Sequence, residues 1–393
     1  MNECLKSRIG VDIFQPVIPD YRVALLEGLD AQHDLDVSVQ ASSPFVRNGS
    51  ISVPLKIKHY NPRHVCLKIG PFFWQKNNRF VCAKKRGDVI VICGNVLHLS
   101  NYWLVIKAMF LGIGVIWWGH HRSSTSTEWA VKLRLFITKC FSDIFLCYTE
   151  AGGRFLVERG FNPQRVCALG NTINEDEILV ACREWTNEKL REFQKENGLL
   201  GKRVFLFCGR LKPRTQLDVL FRAMTHPPLK NLDMILVVIG DGSERQKFTR
   251  IAEEVGVAGR VRWLGQLSCQ DKMAPWFLSS ELFVYPGAIG LSLLHAFSYG
   301  LPVVAHDNRE HQMPEFDLLT PNETGFYFEE GNASDLSRVA HEALSDKSRL
   351  SSMSEKARKV VYEKYNMSNM VNNFKQAILM CSNRKRKNNV AGG

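Results

Sequence analysis

Residues 281–305 constrain the fold more than any other stretch of the chain. Leu282 to Tyr285 is a short apolar run of strand type, ended by Pro286 and Gly287, and from Gly290 apolar residues recur at helical spacing until Gly300 stops them. Val303 and Val304 open a second β-branched run at once. A strand therefore passes through a glycine-bearing turn into a short helix and returns to a strand. The first-turn amides of such a helix have no partner inside it, and such a terminus attracts anions, phosphate above all. Gly287, Ile289, Gly290, Leu291 and Ser292 are the residues this places at an anion site.

The same alternation runs through the rest of the 393 residues, 45% of them hydrophobic, which is enough for two packed α/β domains. In the first half, strands are expected over 9–14, 34–39, 88–93, 115–118, 143–148 and 165–169. A helix is expected after Pro19 with Asp20 as its N-cap. No Gly-x-Gly-x-x-Gly follows the first strand, which argues against an ordinary dinucleotide-binding domain. Residues 102–118 are apolar, but Lys107 and two glycines divide them into a helix and a buried strand rather than a membrane span. In the second half, strands over 203–208, 234–239 and 260–265 precede the central stretch. Gly209 and Arg210, with Lys212 and Arg214, follow the first of these strands; Gly265 and Gln266 end the third.

Charge narrows the partners. The net charge is +12, and residues 44–87 contain ten Lys or Arg and no acid, with Phe72, Phe73 and Trp74 among them. Basic residues interleaved with aromatics suit an anionic membrane surface. They also suit single-stranded nucleic acid, but no zinc-finger or RNA-recognition signature accompanies them, and no nucleic-acid partner is expected. A solvated basic face around a buried aromatic element is the simpler alternative. The cysteines are scattered singly with no Cys-x-x-Cys pair, a pattern of reduced thiols, and no metal site is expected.

The stretch ending Gly-Leu-Pro-Val-Val at 300–304, with its upstream strand, resembles the donor signature of the family 4 retaining glycosyltransferases. That family has two facing Rossmann-like domains (the GT-B type) with a cleft between them. The resemblance implies that Arg210 grips the donor diphosphate, and Thr215 and Gln216 stand where the pattern has Lys-Gly. Lys212 and Arg214 are taken as neighbours reaching the same phosphates, and the turn at Gly265 and Gln266 as the meeting place with the base. Gly287 and His295 stand where the family has two Glu residues that hold the sugar and the ribose. The resemblance further implies that His120, in Trp118-Gly-His120, faces the donor sugar as the candidate catalytic residue. His121 and Arg122 flank it, and Asp20, Tyr21 and Arg22 are candidates on the acceptor side.

The expected organisation is an N-terminal acceptor-side domain over 1–178, a connector over 179–201 and a C-terminal donor domain over 202–366. A helix over 367–382 is expected to cross back, followed by a disordered basic tail over 383–393. The function expected is metal-independent, retaining transfer of a sugar from a nucleotide diphosphate sugar to a lipid-linked glycan, with no cofactor. The protein would lie in the cytoplasm, peripheral on the inner face of the cell membrane. Two alternatives stay open: a non-catalytic nucleotide-sugar or glycan-binding module, favoured by the missing Glu pair, and a sugar-nucleotide epimerase of the same architecture.

Overall fold

The computed structural model describes residues 8–42, 53–64, 66–76, 78–120 and 128–387. His121 and Arg122 lie outside them, as do residues 43–52 of the basic, aromatic region. The chain divides into two compact units, one of residues 1–171 with 367–393 and one of residues 172–366.

The strands of the first unit are β1 (Ile9–Gln15), β2 (Leu35–Ser42), β3 (His59–His64), β4 (Cys66–Ile69), β5 (Phe72–Gln75), β6 (Val89–Cys93), β7 (Gly114–Trp118), β8 (Ile144–Cys147) and β9 (Val166–Ala168). Seven of them form one parallel sheet in the order β3-β2-β1-β6-β7-β8-β9, while β4 and β5 pair as a separate antiparallel hairpin. The apolar runs of β6, β7 and β8 are buried on both faces, as a parallel sheet requires. Trp118 points to a core shared with α1 (Val23–Asp30) and α13 (Met367–Lys387); Trp117 points to the opposite core, shared with α2 (Leu99–Leu111), α3 (Glu128–Phe141) and α4 (Glu150–Glu158). Phe374 of α13 meets the Trp118 ring edge-on at 5.1 Å.

The second unit's strands are β10 (Arg203–Cys208), β11 (Met234–Ile239), β12 (Val261–Gly265), β13 (Leu282–Tyr285), β14 (Val303–His306) and β15 (Gly325–Phe328), in the order β12-β11-β10-β13-β14-β15. Its helices include α5 (Glu175–Arg183), α6 (Asn187–Glu196), α7 (Leu217–Ala223), α8 (Arg245–Glu254), α9 (Gln270–Leu278) and α10 (Ser292–Ser298), followed by α11 (Ala333–Ser345) and α12 (Lys347–Lys359). In both sheets the chain order reverses beside a central strand, between β1 and β6 in the first and between β10 and β13 in the second. Crevices at the carboxyl ends of strands flanking such a reversal are where open α/β sheets bind ligands.

Three expectations need correction. Asp20 does not cap a helix: residues Asp20–Arg22 form a 3-10 turn, α1 begins after it, and the Asp20 carboxylate accepts from the next amide, Tyr21 N. Residues 179–201 are not a connector. Ile178 and Ala181 of α5 lie in the second unit's core, and Phe193 of α6 packs edge-on against Trp185 and Trp276. The basic tail is helical to Lys387, because Lys385 pairs with Asp143 at 3.0 Å and the buried Ser382 hydroxyl donates to the Gly87 carbonyl. Residues 388–393 lie outside the described residues.

Two buried carboxylates fasten the loop before β6 to the sheet. Asp12 of β1 accepts from the amides of Val81, Cys82 and Ala83, and Asp88 from those of Gly10, Lys84 and Lys85. Burial raises the Asp12 carboxyl above its ordinary range, and the three amide bonds oppose that rise. Asp12→Ala is expected to destabilise the protein by about 3 kcal/mol, because it leaves buried donors unmet. Asp12→Asn, which keeps an acceptor oxygen, should cost less; denaturant unfolding of the two variants measures the difference.

Candidate active site

The reversal between β10 and β13 gathers the basic residues of the second unit. After β10, Arg210, Lys212 and Arg214 lie on one short loop, with Leu211 fully buried between the first two as its anchor. Burial and the neighbouring Arg214 and Arg210 cations hold the Lys212 ammonium below its ordinary value, so three positive charges stand within reach of one another. Gln216, where the resemblance has glycine, adopts the left-handed backbone at φ 48°, which explains why the pattern favours glycine there. Gly265 (φ 69°) ends β12, which lies two strands from β10 with β11 between them, and the exposed Gln266 follows it.

Glycine lets the β10 loop lie directly on the turn after β13. The Arg214 carbonyl accepts from Ala288 N at 3.1 Å, and a Cβ added at Gly287 would stand 2.0 Å from that carbonyl oxygen. The backbone thus excludes any side chain at 287, including the glutamate of the family pattern. Of the amides expected to meet an anion, that of Ile289 is already used: it donates to the Gln312 side chain at 2.8 Å, and Gln312 in turn donates to the His306 carbonyl. Helix α10 begins only at Ser292, with Leu291 as its N-cap residue. The Arg214 guanidinium contacts Met313 on the facing loop. Beside that methionine, Glu315 places Oε2 3.6 Å from where a Gly290 Cβ would stand, and its side chain is almost wholly buried. Glu315 was not singled out from the sequence, because a carboxylate more than twenty residues from the turn leaves no local signal there.

His295 packs against Phe277 and Tyr299, ring centroids 4.7 and 5.6 Å away, and those two rings stack on each other at 4.3 Å. Gln270 Oε1 accepts from Tyr299 OH and faces His295 Nε2 at 3.0 Å, an arrangement that puts the imidazole proton on Nε2. Nδ1 then remains an acceptor, and it is not among the sealed atoms that lack a partner. Burial pushes the imidazole down to about 4, so the ring is neutral at pH 7.

A second cluster gathers at the carboxyl ends of β1, β7 and β8 in the first unit. Arg22 donates to Gln15 Oε1 at 2.9 Å and to Tyr148 OH at 2.8 Å, and its guanidinium lies over the Trp118 ring at 4.3 Å. Its Nε is buried with no hydrogen-bond partner among the described residues. His120 meets the Tyr148 ring edge-on at 4.5 Å, so the structure brings these two expected residues, His120 and Arg22, to one place. Arg134 of α3, which the sequence did not flag, donates to the carbonyls of Gly94 and His120 and fixes the backbone there. Tyr21 lies near the Arg22 guanidinium at 5.8 Å, while Asp20 is exposed and makes only its local bond.

Asp36, His59 and Cys82 bring a carboxylate, an imidazole and a thiol within 4.8 Å of one another, the one such group among the described residues. They lie near the amino ends of β2 and β3, away from the site edge, and burial together with Asp36 pushes the Cys82 thiol up to about 12.

Residues 188–360, within the second unit, match the family model described as Glycosyl transferases group 1. Outside that model, the chain is 24% identical over 178 residues to the lipopolysaccharide core biosynthesis glycosyltransferase LpsE of Rhizobium meliloti, covering 44% of this chain and 49% of the relative. It is 27% identical over 146 residues to the N-acetyl-alpha-D-glucosaminyl L-malate synthase of Bacillus anthracis, covering 36% of each. The chain thus spans about half or less of the length of these curated relatives. The structure of Anabaena HepE in complex with UDP superposes with a TM-score of 0.67 over 94% of this chain and 99% of that one, at 12% identity. At that identity the likeness establishes the fold, the two Rossmann-like sheets of GT-B glycosyltransferases. The three cations and the Gly287 turn all fall inside the stretch that matches this family model.

His295 also sets a pH dependence. The folded imidazole titrates at about 4 and the free one at 6.5, so between those values the unfolded chain carries the extra proton. Stability present above the unfolded value is therefore lost as pH falls from there towards 4. His295→Gln is expected to flatten the fall in melting temperature across that window; an unchanged slope would mean that the ring is hydrated and titrates normally.

Proposed function

We propose that the chain is a retaining glycosyltransferase that moves a sugar from a nucleotide diphosphate sugar to a lipid-linked glycan, working in the cytoplasm at the inner face of the cell membrane. The observation that carries this reading is the set of three cations, Arg210, Lys212 and Arg214, on the one loop whose backbone packs on the Gly287 turn at the chain reversal of the second sheet. When the bond to the sugar breaks, negative charge grows on the leaving diphosphate. Fixed positive groups at that point stabilise the transition state more than the ground state, and such stabilisation is usually the largest catalytic contribution. Arginine suits the task because its planar fork makes two parallel contacts to phosphate. Three cations also supply the charge that a divalent metal would otherwise bring, which supports a metal-independent reaction.

Within this reading, Glu315 takes the place of the carboxylate excluded at Gly287 and accepts from donor-sugar hydroxyls, while His295 Nδ1 accepts from the ribose. By the family resemblance, His120 of the first unit is the catalytic candidate and the Arg22 cluster the acceptor-side candidate. A buried guanidinium with Gln15 and Tyr148 as its described partners, neither of them an acid, suits an acceptor bearing an anionic group. Phosphate on a lipid-linked glycan provides one. Retention of configuration follows the family 4 resemblance.

The test combines binding with transfer. A panel of nucleoside diphosphates and sugar nucleotides is expected to raise the melting temperature for one nucleotide selectively, by mass action, and Arg210→Ala to abolish the shift. Glu315→Gln should keep the nucleoside diphosphate shift yet slow transfer by about a hundredfold, near the loss of one aimed polar group in other enzymes. Chelation should leave the rate unchanged, and NMR of the product should show the donor's anomeric configuration. If no nucleotide stabilises a folded protein, the donor site is refuted. Stabilisation without transfer to any lipid-linked acceptor, or hydrolysis alone, would favour the non-catalytic binding module.

A further inference from the structure

The first unit exposes an unusual amount of apolar surface, and it is concentrated. Of the seventeen large hydrophobic side chains exposed among the described residues, thirteen fall between Leu67 and Phe136. Helix α2 turns Leu104, Val105 and Ala108 into the core, yet its opposite face carries Trp103, Ile106, Lys107 and Phe110, with Phe110 89% exposed. Helix α3 repeats the arrangement with Trp129, Lys132, Leu133 and Phe136, Trp129 being 71% exposed. Both sets follow the i, i+3, i+4, i+7 spacing of a single helix face. The two helices cover the same side of the sheet, and the Tyr102 and Phe141 rings join them edge-on at 5.5 Å. Beside α2, the β4–β5 hairpin pairs Leu67 with Trp74 and Ile69 with Phe72, so these four exposed side chains share one face. Phe73, on the other face, is buried against His98.

We propose that these exposed apolar faces of α2, α3 and the β4–β5 hairpin dock together on the interface of an anionic phospholipid bilayer. The charge pattern selects that partner. Between Asp36 and Glu128 the sequence holds one acid, Asp88, which is buried and occupied by backbone amides. Lys107 and Lys132 interrupt the aromatic rows, and long lysine stems let the rings sink to headgroup depth while the ammonium stays with the phosphates. Trp is the side chain most at home at that depth. A second copy of the chain fits less well, because a two-fold contact through this face would set its lysines against each other with no carboxylate between them. No helix among the described residues is long and apolar enough to cross a membrane, which is consistent with a face that lies on the bilayer. The sequence assigned membrane attraction to residues 44–87, with the basic residues 384–387 adding to it; the structure carries the exposed aromatic surface on to α2 and α3 and takes Phe73 out of it. This inference stands apart from the donor chemistry.

Vesicle flotation of the full chain tests it. Vesicles of phosphatidylcholine with phosphatidylglycerol should bind the protein, and phosphatidylcholine alone should bind it at least about tenfold more weakly, since each basic residue near the anionic surface contributes about 1 kcal/mol. Phe110→Ser with Phe136→Ser should weaken binding by at least about tenfold, since each ring contributes apolar burial. Lys107→Glu with Lys132→Glu should abolish the preference for the anionic lipid. Unchanged melting temperatures would confirm that both double variants fold. The proposal fails if neither vesicle binds or if binding survives both double variants. It also fails if sedimentation shows a dimer that the Phe110→Ser, Phe136→Ser variant dissolves, since a second copy would then cover the face.

Discussion

The close approach of two backbones at Gly287 governs the second unit's candidate site. The Arg214 carbonyl lies where a side chain at 287 would begin, and it accepts the next amide, that of Ala288. Similar crossings recur along the same edge. A Cβ at Gly240 would fall 2.0 Å from the Gly209 carbonyl oxygen, and one at Gly242 2.2 Å from that of Leu211. Main chain packed on main chain holds the loop after β10 flat against its neighbours. The cations on that loop are thereby presented from a fixed scaffold, which is the condition for charge stabilisation without reorganisation. The cost is that position 287 cannot carry the family's carboxylate, and the acid nearest the turn comes instead from Glu315.

Much of the fold was legible because parallel strands are buried on both faces and read as unbroken apolar runs. The division of 102–118 into helix and strand follows from Gly112, which takes the left-handed conformation at φ 67° and ends α2. The hairpin was not legible: its strands are four residues each, and the apolar face that a period-2 reading would bury is the exposed one, while Gln75 on the other face is buried. The helical end of the chain was missed because four consecutive basic residues read as a solvated tail, whereas Asp143, far away in sequence, pairs with one of them.

The candidate site divides in the same way. Arg210, Lys212, Arg214 and the Gly287 turn are local in sequence, and a strand–turn–helix pattern reveals them. The sequence offers Arg22 only as an acceptor-side candidate; its guanidinium is held by Gln15, Trp118 and Tyr148, partners that only the sheet brings together. The chain also uses positive charge in two ways. Near the Gly287 turn it is concentrated on one loop, whereas on α2 and α3 it is spaced among aromatics on an open helix face, as a broad, fluid partner requires.

The most direct measurement is calorimetric titration of the preferred nucleoside diphosphate into the wild-type protein and Gly287→Ala. A methyl group at 287 has no room, so it must move the loop after β10 and with it Arg214, Lys212 and Arg210. At unchanged secondary structure, affinity is expected to fall at least about tenfold, the equivalent of one weakened charged contact. Equal affinity in the two proteins would contradict the claim that this backbone contact positions the cations for the donor.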